Sequence, residues 1–197
     1  MKYIDRFLET TVLNSLETFP VTAIVGPRQC GKSTLIKHLS QHRENKFLYL
    51  DLERPSDLEK LRDAEWFLGQ QKDKLICIDE IQRRPELFPL LRSLVDEWNK
   101  PGCFVVLGSA SHELLEQSSE SLAGRIVYRT LTPFLWDELT NQNDYEIELQ
   151  DYTLKGGFPR SILSSNELAS MEWRQSFITT FLERDMLQWV NFTPQTM

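Results

Sequence analysis

Three features predict an α/β fold in three layers, with helices on both faces of a parallel sheet. Short apolar runs recur along the chain, helical stretches separate them, and the runs are continuously apolar rather than alternating. The runs are residues 21–25 (VTAIV), 47–50 (FLYL), 75–78 (LICI), 104–107 (FVVL) and 126–131. A strand that is apolar at every position is buried on both sides, which a parallel sheet needs and a half-exposed antiparallel one does not. Between the runs, residues 32–39 begin a helix. Pro55 opens a helical stretch through Leu58, Leu61 and Trp66, and residues 87–98 are patterned as a helix stopped by Pro101-Gly102. Ahead of the first strand, Ile4, Phe7, Leu8, Val12, Leu13 and Leu16 recur near helical spacing and predict a packing helix.

The strand–helix alternation thins after Thr132-Pro133, and the polar run at 141–144 is the expected boundary. This divides the chain into a core over 1–140 and a small helical lid over 141–197. In the lid, Gly156-Gly157 forms a break and a helix runs from about 167 to 189.

Bulk composition narrows the function classes. The 197 residues carry 29 acidic and 22 basic side chains, a formal net charge of −7, which speaks against a surface built to coat nucleic acid. Arg28, Arg83 and Arg84 could still form a local basic patch. No apolar run approaches the ~20 residues that span a bilayer, and Asp5, Glu9 and Glu17 interrupt the N-terminus. Cys30, Cys77 and Cys103 are odd in number and lack metal-ligand spacing, as expected of reduced thiols. The expected location is the cytoplasm, with no membrane association.

Directly after the first strand stands Gly26-Pro27-Arg28-Gln29-Cys30-Gly31-Lys32-Ser33, followed by Thr34. This fits G-x4-G-K-[ST], the phosphate loop of P-loop nucleotide-binding proteins. Glycines let backbone N–H groups converge on a phosphate, and the following helix offers unsatisfied N–H groups and partial positive charge to the same anion. Lys32 is expected to reach the β and γ phosphates, and the Ser33 hydroxyl to coordinate Mg²⁺. Cys30 lies inside the loop, where an inert filler is the simpler reading than an oxidation-sensitive thiol.

The third strand ends in Asp79-Glu80. Asp79, at the strand tip, can accept a water on Mg²⁺, and Glu80 can orient and deprotonate the attacking water. A second carboxylate is superfluous when a substrate group is the nucleophile, so the pair favours ATP hydrolysis over phosphoryl transfer to a metabolite. The fourth strand ends in Gly108-Ser109-Ala110-Ser111. Ser109 is a candidate γ-phosphate sensor and Ser111 a candidate helix cap. Arg125 precedes the fifth strand and is the candidate arginine finger for a neighbouring subunit, with Arg28, Arg83 and Arg84 as rivals.

Together these motifs resemble a bacterial and archaeal family of AAA-type ATPases whose members usually carry a further C-terminal domain. The resemblance extends through Tyr49-Leu50-Asp51-Leu52-Glu53-Arg54-Pro55, Ile78-Asp79-Glu80-Ile81-Gln82 and Leu122-Ala123-Gly124-Arg125. It continues in Gly156-Gly157-Phe158-Pro159-Arg160 and Phe181-Leu182-Glu183-Arg184-Asp185. It implies a sheet of order 5-1-4-3-2, Walker A and Walker B roles for the residues just named, and a lid turn at Gly157 and Pro159. From that lid, Arg160 or Arg184 could reach phosphate. Members are usually longer, so residues 141–197 are expected to lead into a missing C-terminal domain.

The resulting expectation is an ATPase that uses ATP and Mg²⁺ to drive a conformational switch, acting as a homo-oligomer or with a protein partner. The alternatives are a nucleotide-binding regulatory module with little hydrolysis of its own, and a DNA-associated ATPase.

Overall fold

A computed structural model describes residues 3–41, 46–109, 120–141 and 147–181. By compactness the chain divides into two units, Met1–Pro133 and Phe134–Met197. Ser111, Arg184 and Asp185, singled out above, lie outside the described residues.

The first unit is built in the order α1 (Leu8–Thr18), β1 (Val21–Val25), α2 (Lys32–Leu39), β2 (Phe47–Asp51), α3 (Pro55–Lys60), α4 (Ala64–Gly69), β3 (Leu75–Asp79), α5 (Leu87–Trp98), β4 (Phe104–Gly108) and β5 (Ile126–Thr130). The strands form one sheet of order β2-β3-β4-β1-β5, parallel at every pairing. This is the expected order, read from the other edge.

Burial explains the order. The three inner strands β1, β3 and β4 are buried at every residue, as their unbroken apolar sequences require. The edge strands β2 and β5 are only partly buried and carry Tyr49, Asp51, Tyr128 and Arg129. Successive residues of each strand feed opposite layers. On one face Val21, Ala23, Ile76, Ile78, Phe104 and Val106 meet Leu61, Leu68 and the α5 side chains Phe88, Leu91 and Val95. On the other, Ile24, Cys77, Val105 and Leu107 meet Val12 and Leu16 of α1 and Leu35 and Ile36 of α2.

Three local expectations are corrected. The helical stretch after Pro55 is two helices, because the Asp63 carboxylate accepts the Trp66 N–H at 3.1 Å and starts a new one. The Trp66 side chain is exposed. Helix α5 has the expected bounds, but it is ended by Asn99, whose left-handed backbone (φ 46°) breaks the helical path before Pro101-Gly102 is reached. Of the N-terminal apolar series, Val12 and Leu16 are buried within α1, Ile4 is buried ahead of it, and Phe7 and Leu13 face solvent.

The second unit contains α6 (Trp136–Thr140), α7 (Leu149–Lys155), α8 (Pro159–Ile162) and α9 (Glu167–Phe181). Phe158 packs against Trp173 and Phe177, with ring centroids 5.7 and 4.8 Å away. The Ser161 hydroxyl donates to Lys155 O at 2.6 Å and lies 2.8 Å from that of buried Ser170, to which Arg174 donates at 2.5 Å. Gly157 lies at the start of α8, and its carbonyl accepts the Phe134 N–H at 2.8 Å.

Candidate functional site

The loop between β1 and α2 owes its path to two glycines. Gly26 has φ 158°, and a Cβ there would lie 2.1 Å from Leu131 O, so no other residue fits without moving backbone. Gly31 has φ 105° and forms the entry to α2. Between them Gln29 also adopts positive φ (62°), which costs a non-glycine residue about 1 kcal/mol or more.

Lys32 is buried, and its ammonium donates to Gly26 O and Pro27 O, both at 2.9 Å. The lysine therefore folds back over the loop, hydrogen-bonded to two neutral carbonyls and close enough to the Glu80 carboxylate to attract it electrostatically. Among the other loop residues, Arg28 is half-buried, and Pro27, Gln29 and Thr34 are exposed. Cys30 is buried, its Sγ set 3.5 Å from Leu131 O, and burial raises its thiol pKa. That is the environment of an inert structural thiol.

Sheet order brings the acid pair to the loop. Asp79 ends β3, one strand beyond β4, which itself lies beside β1. The Ser33 hydroxyl donates to Asp79 Oδ2 at 2.6 Å, across 46 positions of sequence. Asp79 is almost fully buried, and its other oxygen accepts the Glu80 N–H at 3.0 Å. A hydroxyl that gives its proton to a carboxylate keeps its lone pairs for a cation. Hydroxyl and carboxylate oxygens side by side are the donor set that suits Mg²⁺, so Ser33 and Asp79 fit the expected ion.

Glu80 occupies the left-handed region (φ 58°, ψ 42°), a strained conformation for a non-glycine residue at the head of a short turn over Ile81–Arg83. Its carboxylate accepts from the Gln82 side-chain amide. Burial raises its pKa, and the adjacent Asp79 charge raises it further. Ser109 follows Gly108, the β4 residue in register with Val25 at the end of β1. It is half-buried and stands at the same strand ends as the loop and Asp79.

Arg125 is placed elsewhere. Ile126 is in register with Val21, the first residue of β1, and Val21 N donates to Arg125 O at 3.1 Å. Arg125 thus sits at the opposite end of the sheet, separated from the loop by the length of a strand, roughly 13 Å. Its guanidinium grips Asp96 of α5 with both arms, at 2.5 and 3.0 Å. A cavity of about 330 Å³, lined among others by Pro20, Asp96, Lys100 and Arg125, opens there. The rival arginines Arg83 and Arg84 pair with Glu53 and Glu86 at the surface.

Two contributors carried no role in the sequence reading. Arg6, nearly buried ahead of α1, donates to Cys30 O at 3.2 Å and to Thr132 O at 2.7 Å, pinning the loop to the segment after β5. Tyr49 of β2 donates its phenolic proton to Asp79 Oδ2. Both act on positions remote in sequence, and only their types, an arginine among apolar residues and a tyrosine in an aliphatic run, hint at it.

Comparison with known proteins agrees with this architecture. A family model described as an AAA domain matches residues 18–140, and one described as a domain of unknown function matches residues 146–195. Two uncharacterized proteins, of Mycobacterium bovis and Mycobacterium tuberculosis, are each 40% identical over 174 residues, 88% of this chain and 38% of theirs. The chain therefore spans about two-fifths of the length of these curated relatives, at 38%. Among solved structures, a Walker-type ATPase of Pyrococcus abyssi aligns with a TM-score of 0.63 at 16% identity, covering 98% of this chain and 77% of that one. Cdc6p of Pyrobaculum aerophilum aligns with a TM-score of 0.52 at 13% identity, covering 93% and 65% respectively. At such identities the two structures speak to the fold alone, an AAA-type P-loop fold. Among the described residues no helix is long and apolar enough to cross a membrane.

Proposed function

The chain belongs to the AAA domain family, and on that footing we propose that it binds ATP with Mg²⁺ at residues 26–34 and hydrolyses it to ADP and phosphate, driving a conformational switch. The observation that carries this reading is the 2.6 Å hydrogen bond joining Ser33 to Asp79, the sequence neighbours of Lys32 and Glu80 respectively. Four chemically distinct groups from two motifs converge where the strands end.

In this reading Lys32 exchanges two carbonyl partners for phosphate oxygens, a far stronger match for an ammonium. The N–H groups at the start of α2 hold the same phosphates. Ser33 and Asp79 would hold Mg²⁺, which when bound would supply neutralisation of the phosphate charge. Glu80 takes the proton of the attacking water, and its raised pKa makes it a stronger base than an exposed carboxylate. Ser109 stands by the γ-phosphate. Arg125, directed away from its own loop, serves the site of a neighbouring copy in a homo-oligomer.

One contact favours a second reading, a regulatory module that hydrolyses little unaided: the Glu80 carboxylate is held by the Gln82 amide rather than free. In that case a partner must release it.

Titration calorimetry with ATP and ADP, with and without Mg²⁺, tests the site itself. Lys32→Ala is expected to weaken ATP binding roughly 10- to 100-fold, the worth of a charge-assisted contact. If Lys32→Ala binds ATP as tightly as the parent, the loop is not a phosphate site and the reading fails. Phosphate release by the parent at high ATP separates hydrolysis from the regulatory alternative.

A further inference from the structure

Asp79 is held by more than its place in the strand. Its Oδ2 accepts protons from both Ser33 and Tyr49, and its Oδ1 accepts the Glu80 N–H. All three donors are neutral. A lysine or arginine would also fix the carboxylate, but it would cancel the charge that a divalent cation needs. Hydroxyl and amide donors fix the direction of the oxygens and leave the charge in place.

Tyr49 arrives there by register. It is paired with Cys77 on β3, so Asp79, two residues on, presents its side chain on the same face of the sheet. That face is the one packed by α2, whose first turn carries Ser33. One turn further along α2, the Lys37 ammonium lies over the Tyr49 ring, 4.3 Å from its centroid. A cation in that place holds the ring and draws electron density from it, which strengthens the phenol as a hydrogen-bond donor. Lys37, Tyr49, Asp79 and Ser33 thus form one chain of contacts that begins and ends on α2.

We propose that Tyr49 is a positioning residue for the metal: its hydroxyl, braced by Lys37, orients the Asp79 carboxylate toward the Mg²⁺ of the bound nucleotide. The proposal rests on the reading of residues 26–34 and Asp79 as an MgATP site. It adds a residue from β2, the strand farthest from β1 on that side of the sheet.

Tyr49→Phe removes the donor and keeps the ring, its packing and its contact with Lys37. ATP binding is measured by calorimetry in excess Mg²⁺ and again in EDTA. In the parent, Mg²⁺ tightens ATP binding. In Tyr49→Phe, that gain is expected to shrink roughly 10-fold, the scale of one hydrogen bond to a charged group, while affinity in EDTA stays within about twofold of the parent. Lys37→Met, at an exposed position, is expected to reduce the gain in the same direction by roughly two- to threefold, as an exposed cation–π contact would. It carries the test should Tyr49→Phe fail to fold.

Three results overturn the assignment. If Tyr49→Phe retains the full Mg²⁺ gain, the phenol merely satisfies its own proton. If it loses affinity equally in Mg²⁺ and in EDTA, the effect is on the loop and not on the metal. If Tyr49→Phe does not fold and Lys37→Met keeps the parent's gain, the bracing chain is not functional. A parent chain that binds no ATP at all sinks the nucleotide reading and this one together, an outcome that the parent titration alone identifies.

Discussion

The two ends of the sheet are built on opposite principles. Around the C-terminal ends of the inner strands β1 and β3, two charged groups are buried and hydrogen-bonded to neutral partners, Lys32 to two carbonyls and Asp79 to two hydroxyls and an amide. The edge residue Asp51 pairs instead with exposed Arg54. Of the non-glycine residues at positive φ among the described residues, Gln29 and Glu80 lie at these C-terminal ends, and Asn99, of a type that adopts this conformation more readily, lies at the other end. At the N-terminal ends, Arg125, just ahead of β5, and Asp96 of α5 form an exposed pair, each charge met by its opposite. An exposed ion pair is close to self-sufficient and contributes little to stability. A buried charge among neutral dipoles is costly, and it persists where a ligand of opposite charge completes it. The contrast supports the proposed placement of the site without reference to any motif.

The sharpest way to break this contrast is Glu80→Gln. It removes the proposed base and leaves the loop intact, so phosphate release is expected to fall at least about 100-fold while ATP binding persists. Unchanged phosphate release by the variant would remove Glu80 from the chemistry. Next in size is Arg125→Ala at the far end. ATP affinity is expected to stay within about twofold of the parent, because the two sites are independent at this separation. Turnover is expected to fall only under conditions where the specific activity of the parent rises with protein concentration, the sign of assembled copies, and sedimentation run alongside reports the assembly. A large loss of affinity in a monomeric sample would contradict the placement of Arg125.

The smallest expected effect concerns the framework between the ends. Thr22 is fully buried in β1, and its hydroxyl has no hydrogen-bond partner among the described residues. Thr22→Val keeps the branched shape and removes an unmatched polar group, so stability is expected to rise by about 1 kcal/mol, read as a higher urea midpoint at unchanged slope. A loss of stability would mean that the hydroxyl has a water partner in solution.

Much of the site could be read before any coordinates. The loop at 26–34 is legible because its chemistry is carried by neighbours in sequence, and Asp79-Glu80 because the pair ends an apolar strand downstream of that loop; taken alone, the same pair reads as a solvated strand end. The position of Ser109 followed once a sheet order was assumed, and that order came from family resemblance rather than from spacing. Residues 55–69 show where periodicity misleads. Apolar residues at helical spacing suggested one helix, and a single capping aspartate, Asp63, made two. Tyr49 and Arg6 were invisible in their roles, because each acts on a residue at least 24 positions away.

By itself the sequence determined the class of fold, the five strands, and the groups proposed to hold a polyphosphate and a divalent cation. These depend on hydrophobic patterning and on contiguous motifs, which are local properties of the chain. The tertiary structure alone decided that Ser33 meets Asp79, that a tyrosine from the edge strand holds the same carboxylate, and that Arg125 stands at the other end of the sheet. Strand order and register set those distances, and both are fixed by how the two apolar faces of the sheet are covered rather than by any short stretch of residues.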